Sequence, residues 1–245
     1  MPTGSSSVKQ ELAPNGKLRA AINLGNRVLS QTDTATGKPK GITVELAHEL
    51  ASQLDVPVVL ITYDAAGKVF DALKRGEWDI AFLAIDPVRA AEIEFTAPYV
   101  LVEGKFVVPK ISDLKTIDDI DLSGVRIAVA RGSAYDLYLS RTIKNATLVR
   151  SPTAEASMTM FLTDKLEAAA GVKQPMMEFV KRNPEFWMIE RRFMAIEHAM
   201  GMPKGRSMGA DYLRAFIEQM KASGFVAAAL QRSKQYDAVV APPAT

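Results

Sequence analysis

The stretch Ile42–Ile85, ITVELAHELASQLDVPVVLITYDAAGKVFDALKRGEWDIAFLAI, decides the fold class. Its first part, Ile42–Leu54, repeats apolar residues at helical spacing and predicts a helix. The β-rich run Val56–Tyr63 then predicts a strand, Gly67–Arg75 a second helix, and Trp78–Ile85 another strand. This alternation is typical of an α/β sheet flanked by helices.

The same alternation extends in both directions from this stretch. Upstream, Lys17–Leu24 predicts a strand, and a polar loop follows at residues 32–41. Downstream, a second series of strands and helices begins near Gly104. Its predicted strands are Lys105–Pro109, Val125–Ala130, Ala146–Arg150, Ala168–Val172 and Phe193–Met202, and its predicted helices are Ala134–Ser140, Thr153–Thr163, Met176–Arg182 and one long helix, Ala210–Gln231. We expect residues 1–16 to form a loose leader and Ala241–Thr245 a frayed tail.

Composition excludes several classes of function. The formal net charge is only +2, and the basic residues are scattered, which argues against a nucleic-acid partner. There is no cysteine, and His48 and His198 lack the spacing of metal ligands, so we expect neither a metal nor a cofactor. No apolar run approaches the ~18–20 residues that span a bilayer. The first ten residues lack the apolar segment of a secretory signal, so either a signal was removed or there was none.

The chain resembles the family 3 bacterial extracellular solute-binding proteins, the amino-acid-type receptors of ABC importers. The resemblance covers residues 18–231 and rests on four stretches in the right order. They are Gly41–Ala47 (GITVELA), Ala72–Ile80 (ALKRGEWDI), Pro87–Tyr99 (PVRAAEIEFTAPY) and Val125–Ser133 (VRIAVARGS).

This resemblance implies a two-lobe, type II periplasmic-binding-protein fold in which two crossing strands join the lobes. Lobe 1 is expected at residues 1–102 plus 196–245, and lobe 2 at 103–195, with a ligand in the cleft. The function implied is that of a receptor that binds a small carboxylate-bearing metabolite and works with an ABC transporter permease. The resemblance implies a periplasmic location, with a cytoplasmic one as the alternative because no signal segment is seen, and we expect a monomer.

The resemblance also implies which residues bind the carboxylate. Arg89 matches the family's arginine, and a guanidinium binds a carboxylate through paired charge-assisted hydrogen bonds. The turn Gly132-Ser133, with Ala134 opening the next helix, matches the second lobe's anion-binding turn. Ser133 also suits plain helix capping, and the two roles are compatible.

Several positions depart from the family pattern. Val172 stands where amino-acid receptors carry the aspartate that pairs with the ligand's α-ammonium, and Lys173 follows it, facing either the ligand or solvent. Family members carry an aromatic residue in the loop after the first strand, where it stacks on the ligand. This chain has Asn23 and Asn26 there instead, and both suit either ligand contact or a turn. The threonine or serine positions that precede the arginine in the family are Phe82, Ala84 and Asp86 here. Ala84 can offer only its backbone groups, and Phe82 supplies either a ring to the ligand or a core side chain.

A buried ammonium without a counter-charge costs several kcal/mol. We therefore expect an acid without a conventionally recognised α-ammonium, namely a keto, hydroxy, aromatic or N-substituted acid, and no catalysis. Two alternatives are a cyclohexadienyl-dehydratase-like lyase and a ligand-sensing module on the same fold. Glu103, Glu197 and His198 lie near the predicted crossings, where they either border the cleft or serve hinge packing and solvation, and we favour the second interpretation.

Overall fold

The computed structural model describes residues 6–244 as two compact units. Unit 1 comprises the described residues up to Leu101 and those from Glu197 onward, and unit 2 runs from Val102 to Ile196. The helices are α1 Ser6–Leu12, α2 Ile42–Leu54, α3 Ala66–Leu73, α4 Pro87–Ala90, α5 Ala134–Thr142, α6 Ala154–Thr163, α7 Lys173–Arg182, α8 Ser207–Ala222 and α9 Phe225–Arg232, with a 3₁₀ turn at Asp118–Ile120. The strands are β1 Leu18–Asn23, β2 Gln31–Thr32, β3 Pro39–Lys40, β4 Val58–Tyr63, β5 Ile80–Ala84, β6 Ile93–Pro109, β7 Arg126–Ala130, β8 Thr147–Ser151, β9 Ala168–Val172, β10 Phe186–Met188, β11 Met194–Pro203 and β12 Val239–Val240.

The sheet of unit 1 is built around β1. Strands β4 and β5 pair with β1 in parallel on either side, and β11 pairs antiparallel with β5. Helix α2 buries its apolar face, including Leu46 and Leu50, while α3 packs Val69 and Ala72 beside Trp78. The parallel strands β1 and β5 therefore end at the same edge, which places the loops that follow Asn23 and Ala84 side by side.

Unit 2 repeats the same scheme around β7. Strands β8 and β9 pair with β7 in parallel, β9 pairs antiparallel with β6, and β6 also pairs with β10. Its core holds aliphatic and aromatic side chains on both faces of the sheet, among them Phe106, Ile127 and Phe161. Here too the carboxyl ends of the parallel strands share one edge, where Gly132, Thr153 and Lys173 begin the next segments.

The expected loose leader is wrong for the part of it that the structure describes. Residues Ser6–Leu12 form α1, whose Val8 and Leu12 are buried. Two bonds attach this helix to the start of α8: Arg206 Nη1 donates to the Glu11 carbonyl at 2.9 Å, and the Gly209 N–H donates to Glu11 Oε2 at 2.6 Å. Residues 1–5 of the predicted leader lie outside the described residues.

The expected frayed tail is also wrong up to Ala244. Val239 and Val240 pair with β6, and Ala241 is buried and donates its N–H to the Tyr99 carbonyl at 3.1 Å. Lys221 Nζ donates to the Pro242 carbonyl at 2.8 Å. The sequence did not predict these contacts, because Pro242 and Pro243 are unfavourable in strands. A proline carbonyl can nevertheless accept a hydrogen bond, as that of Pro242 does. Thr245 lies outside the described residues.

Three further predictions need correction. The long C-terminal helix is two helices, because Gly224 adopts φ 76°, a left-handed conformation that ends α8 and precedes α9. Strand β6 begins at Ile93, well before the predicted Lys105, since tertiary pairing overrides Pro98 within it. The predicted polar loop at residues 32–41 contains the second strand of the short β2–β3 hairpin.

Candidate functional site

Arg89 lies in the four-residue helix α4, directly after the carboxyl end of β5. Asp86 caps this helix by accepting the Val88 N–H at 2.9 Å, and Pro87 occupies the first helical position. The Arg89 side chain is 1 % exposed, and its Nη1 donates to the Ala84 carbonyl at 2.8 Å. The guanidinium is thus held by the last carbonyl of β5, five residues earlier in the chain.

Arg89 keeps its charge at neutral pH despite this burial. Desolvation lowers its pKa to about 10, and the neighbouring Asp86 carboxylate acts in the opposite direction. A buried cation of this kind requires anionic or strongly polar company. The arrangement is therefore suited to binding a carboxylate.

Asn23 and Asn26 shape the loop that follows β1. Asn23 Oδ1 accepts the Gly25 N–H at 3.0 Å, which closes an Asx turn. Gly25 is required here, because a Cβ would lie 2.2 Å from the Asp64 carbonyl oxygen. Asn26 Oδ1 accepts the Val28 N–H at 3.3 Å, and Asn26 Nδ2 lies 3.2 Å from His198 Nε2. Asn23 therefore makes a turn, whereas Asn26 also joins the loop to β11.

Phe82 and Ala84 are both buried residues of β5. The Phe82 ring is 3 % exposed and packs edge-on against Tyr99, with ring centroids 6.2 Å apart. Ala84 contributes only its backbone, namely the carbonyl that holds Arg89. Phe82 serves the core of unit 1 in this structure.

The predicted anion-binding turn of unit 2 holds a carboxylate of its own. Gly132 adopts φ 67°, and its N–H donates to Asp136 Oδ2 at 2.8 Å. Ser133 Oγ accepts the Asp136 N–H at 3.0 Å and caps α5, which begins at Ala134. Arg150 Nε donates to Asp136 Oδ1 at 2.9 Å. Ser133 therefore does cap the helix, and its side chain also hydrogen-bonds with Tyr135.

Asp136 is a polar residue of this turn that the sequence argument did not select. It is 4 % exposed, and its carboxylate accepts the N–H of Gly132, four residues earlier in the chain. The pattern Ser133-x-x-Asp136 resembles a capping box, in which an acid at the third helical position reaches back to the start of the helix. This Ser-x-x-Asp pattern is the sequence feature from which the role of Asp136 could have been predicted.

Val172 and Lys173 stand at the carboxyl end of β9, where the expected aspartate is absent. Lys173 Nζ lies 3.6 Å from Glu103 Oε2, and Lys105 Nζ lies 3.3 Å from the same oxygen. Arg192 Nη1 lies 3.8 Å from Glu103 Oε1. We call Glu103, Lys105, Lys173 and Arg192 the Glu103 cluster; its three cations outnumber its single carboxylate.

Glu103 is a weakened base in this cluster. Partial burial raises its pKa, but the charges of Lys105, Lys173 and Arg192 outweigh burial and hold the pKa below its ordinary value. The carboxylate therefore stays ionised and occupied by cations. Lys105 is only 6 % exposed and also donates to the Glu190 carbonyl.

Gln174, the second residue of α7, is the other polar group beside Val172. Both its amide nitrogen and its amide oxygen are buried, and neither has a hydrogen-bond partner among the residues that the structure describes. Buried amide groups are nearly always hydrogen-bonded in native proteins. The amide is therefore a candidate for contact with a polar ligand.

Candidate metal clusters and membrane-spanning helices are both absent from the part of the chain that the structure describes. Within residues 6–244, no group of three or more His, Cys, Asp or Glu side chains could hold a metal ion. Over the same residues, none of the helices combines the length and apolar character needed to cross a membrane.

Comparison with known proteins identifies related chains. A curated relative, the amino-acid-binding protein AabA of Dichelobacter nodosus, is 22 % identical over 197 residues, which cover 78 % of this chain and 77 % of the relative. The cysteine-binding protein of Campylobacter jejuni superposes with a TM-score of 0.80 at 19 % identity, over 97 % of this chain and 99 % of that one. An ancestral amino-acid-binding protein, described as a precursor of cyclohexadienyl dehydratase, gives a TM-score of 0.76 at 19 % identity, over 93 % and 99 % of the two chains.

These likenesses confirm the expected two-lobe type II periplasmic-binding-protein fold. The family model for bacterial extracellular solute-binding proteins, family 3, matches residues 18–235, which include β1, Arg89, the Gly132 turn and the Glu103 cluster. The resemblance drawn from the four sequence stretches is thereby confirmed, and the chain belongs to the bacterial extracellular solute-binding proteins of family 3.

Proposed function

We propose that this solute-binding protein is the receptor of an ABC importer and that its ligand is a small carboxylate-bearing metabolite. The observation that carries the proposal is Arg89, a guanidinium that is 1 % exposed, charged at neutral pH, and fixed by the Ala84 carbonyl at the end of β5. Such a group gains most when a carboxylate accepts its N–H bonds in a dry site, where charge-assisted hydrogen bonds are strongest.

The second part of the proposal concerns what the ligand lacks. In unit 2, Val172 pairs across the sheet with Gly104, the neighbour of Glu103, and Lys173 and Gln174 follow it in the chain. We propose that the Glu103 cluster and Gln174 receive the ligand's second polar group. Three cations against one carboxylate disfavour an ammonium and favour an oxygen or an anion. A keto, hydroxy or second carboxylate group meets this requirement better than the ammonium of an ordinary amino acid.

The named relatives bind amino acids, which makes this proposal a specific departure from them. The departure rests on two features: Val172 offers no counter-charge to an ammonium, and Glu103 already contacts three cations. If Glu103 instead pairs with a ligand ammonium, that ammonium competes with the three cations already beside the carboxylate.

We further propose that the chain catalyses no reaction. A lyase on this fold needs an acid or base that exchanges a proton near neutral pH. Glu103, the carboxylate that joins the cluster beside Val172, has a pKa below its ordinary value and is held by Lys105, Lys173 and Arg192. Such a carboxylate is poorly matched to proton transfer.

The proposed setting follows from the family. Its members are described as extracellular, and we propose a periplasmic location, a monomeric state and a transporter permease as the protein partner. A native-mass measurement and co-purification with a permease would test the last two points.

The function is tested by screening wild-type protein and Arg89→Met against carboxylates, amino acids and their keto and hydroxy analogues. A true ligand raises thermal stability, since binding to the folded state adds RT ln(1 + [L]/Kd), about 2.7 kcal/mol at a hundredfold excess over Kd. Calorimetry should then show that Arg89→Met binds the same ligand ~30-fold or more weakly, a loss of about 2–4 kcal/mol.

Arg141→Met serves as a control, because it removes an arginine from the last turn of α5 rather than from α4. Binding by Arg89→Met within twofold of the wild type would refute the carboxylate assignment. A wild-type protein that responds to no acid in the screen would refute the function.

A further inference from the structure

His198 occupies an unusual place in unit 1. It lies in β11, opposite Ala84 of β5 in the antiparallel register, and is 7 % exposed. Ala84 is the residue whose carbonyl holds the Arg89 guanidinium. His198 is therefore the buried imidazole next to the proposed carboxylate anchor.

The contact with Asn26 fixes which imidazole nitrogen carries the proton. Asn26 Oδ1 is engaged by the Val28 N–H at 3.3 Å, so the amide presents its Nδ2 donor to His198 Nε2, 3.2 Å away. A nitrogen that accepts a hydrogen bond in a neutral imidazole leaves the proton on the other nitrogen. His198 thus carries its hydrogen on Nδ1.

The imidazole is neutral at physiological pH. Burial, and secondarily the positive charge of Arg89, lower the His198 pKa to about 3. That Arg89 has this effect also places the two side chains within electrostatic reach of each other. The pair presents one neutral donor and one cation.

The Nδ1 atom is buried, and no residue between 6 and 244 supplies a hydrogen-bond partner for it. A buried donor in a native protein ordinarily has an acceptor. The Ala84 carbonyl, which lies opposite His198 in the strand register, accepts from Arg89 Nη1 and makes no contact with Nδ1 in this structure. An acceptor on a bound ligand would satisfy Nδ1–H.

We infer that His198 is a ligand-binding, specificity-determining residue whose Nδ1–H donates to an oxygen of the bound acid. The inference rests on the proposed function, because it takes the bound acid to be the one that Arg89 holds. An oxygen beside the carboxylate satisfies a neutral donor, whereas an ammonium at the same point would place donor against donor beside a guanidinium. His198 and Asn26 would thus select 2-oxo acids over the matching amino acids.

The first test needs no ligand. In a His48→Gln protein, His198 is the sole histidine, because the chain contains two. Nitrogen-15 NMR of its imidazole should show a neutral ring protonated at Nδ1 at pH 7. A ring protonated at Nε2, or a charged ring, would overturn the inference whatever the ligand is.

The second test is calorimetry with 2-oxoglutarate, pyruvate, L-glutamate and L-alanine as probes. His198→Gln keeps a polar group near the Nε2 position but removes the donor at Nδ1, and we expect a tenfold or greater loss of affinity for the 2-oxo acid that the wild type binds. His198→Asn keeps a donor near the Nδ1 position and should lose less. His48→Gln, a change on the exposed face of α2, is the control that should bind as the wild type does.

The outcomes separate this inference from the function on which it rests. If Arg89→Met loses binding while His198→Gln retains full affinity and the wild-type preference, the receptor function stands and the role of His198 is refuted. If the wild type binds none of the four probes and no other acid, both fail. Circular dichroism and thermal unfolding of His198→Gln must show a native fold; should that variant be unstable, His198→Met, which also removes the Nδ1 donor, takes its place.

Discussion

Arg19 holds Asp79 through three N–H groups. Its backbone N and Nε both donate to Asp79 Oδ2 at 3.0 Å, and its Nη2 donates to Oδ1 at 2.8 Å. The contact joins the start of β1 to the residue before β5. In unit 2, Arg126 at the start of β7 binds Glu167, the residue before β9, through the same three kinds of donor. The two units therefore share one device for aligning their parallel strands, which their dissimilar sequences did not reveal.

The Arg19–Asp79 pair should contribute strongly to stability. The Asp79 side chain is fully buried, and Asp79→Asn would leave the Arg19 guanidinium facing a neutral group. We expect the free energy of unfolding to fall by about 2 kcal/mol or more, because charge-assisted bonds in a buried setting are lost. Urea denaturation measures the change.

Glu167→Gln is the matched control for this prediction. Its side chain is 36 % exposed, so water can replace much of what the substitution removes, and the loss should be clearly smaller. Equal losses for the two variants would contradict the importance that we assign to burial.

Val172→Asp should restore recognition of an α-ammonium. The new carboxylate would stand beside Lys173 and the Glu103 cluster, where it adds the negative charge that the family pattern provides. We expect affinity for an L-amino acid, relative to its 2-oxo analogue, to rise tenfold or more, which corresponds to about 1.4 kcal/mol. Paired titrations with L-glutamate and 2-oxoglutarate measure this ratio.

Val172→Asn is the uncharged control, since it adds polarity at a similar size without a counter-charge. It should change the ratio much less than the aspartate does. A wild-type protein that already binds the amino acid tenfold more tightly than the oxo acid would overturn the proposed ligand class.

His198 should make the protein acid-sensitive. Its pKa is about 3 in the folded state against an ordinary 6.5, so the unfolded chain binds more protons between these values. Stability is therefore full above about pH 6.5 and falls as the pH drops toward 3, by up to a few kcal/mol in total. The cause is that burial and Arg89 oppose charging of the ring.

The measurement is a set of urea midpoints from pH 7 to pH 4 for the wild type and for His198→Asn. Carboxylates titrate in both proteins, so the difference between the two curves isolates the histidine. The wild type should lose more stability than the variant over this range. Parallel curves would show that His198 is accessible to protons in the folded state.

Gly224→Ala should destabilise unit 1 through the backbone alone. Gly224 has φ 76°, and a Cβ added there would meet no atom within 4 Å, so the cost is the left-handed conformation and not a clash. We expect a loss of about 1 kcal/mol in the free energy of unfolding. Gly224→Asn should lose less, because asparagine tolerates this conformation better than alanine does. A neutral alanine variant would mean that α8 and α9 can merge into one helix.

Local sequence determined much of the secondary structure. The helix Ile42–Leu54 and the strand Ala168–Val172 begin and end where their apolar patterns predict. Both are segments in which periodicity and breakers agree. Prediction failed where tertiary contacts override local signals, as in β6 across Pro98 and in α1, which is stabilised by Arg206 and Gly209 from the far end of the chain.

The sequence by itself also determined the family, because four motifs in order specify a fold that tolerates change elsewhere. The family resemblance that these motifs carry marked Arg89, the Gly132 turn and the departure at Val172, which local pattern alone would not have selected. Only the tertiary structure decided that Arg89 is fully desolvated, that three cations gather on Glu103, and that Asn26 meets His198 across 172 residues. Burial and hydrogen-bond partners depend on which strand edges coincide, and that is set by long-range pairing, which local periodicity does not encode.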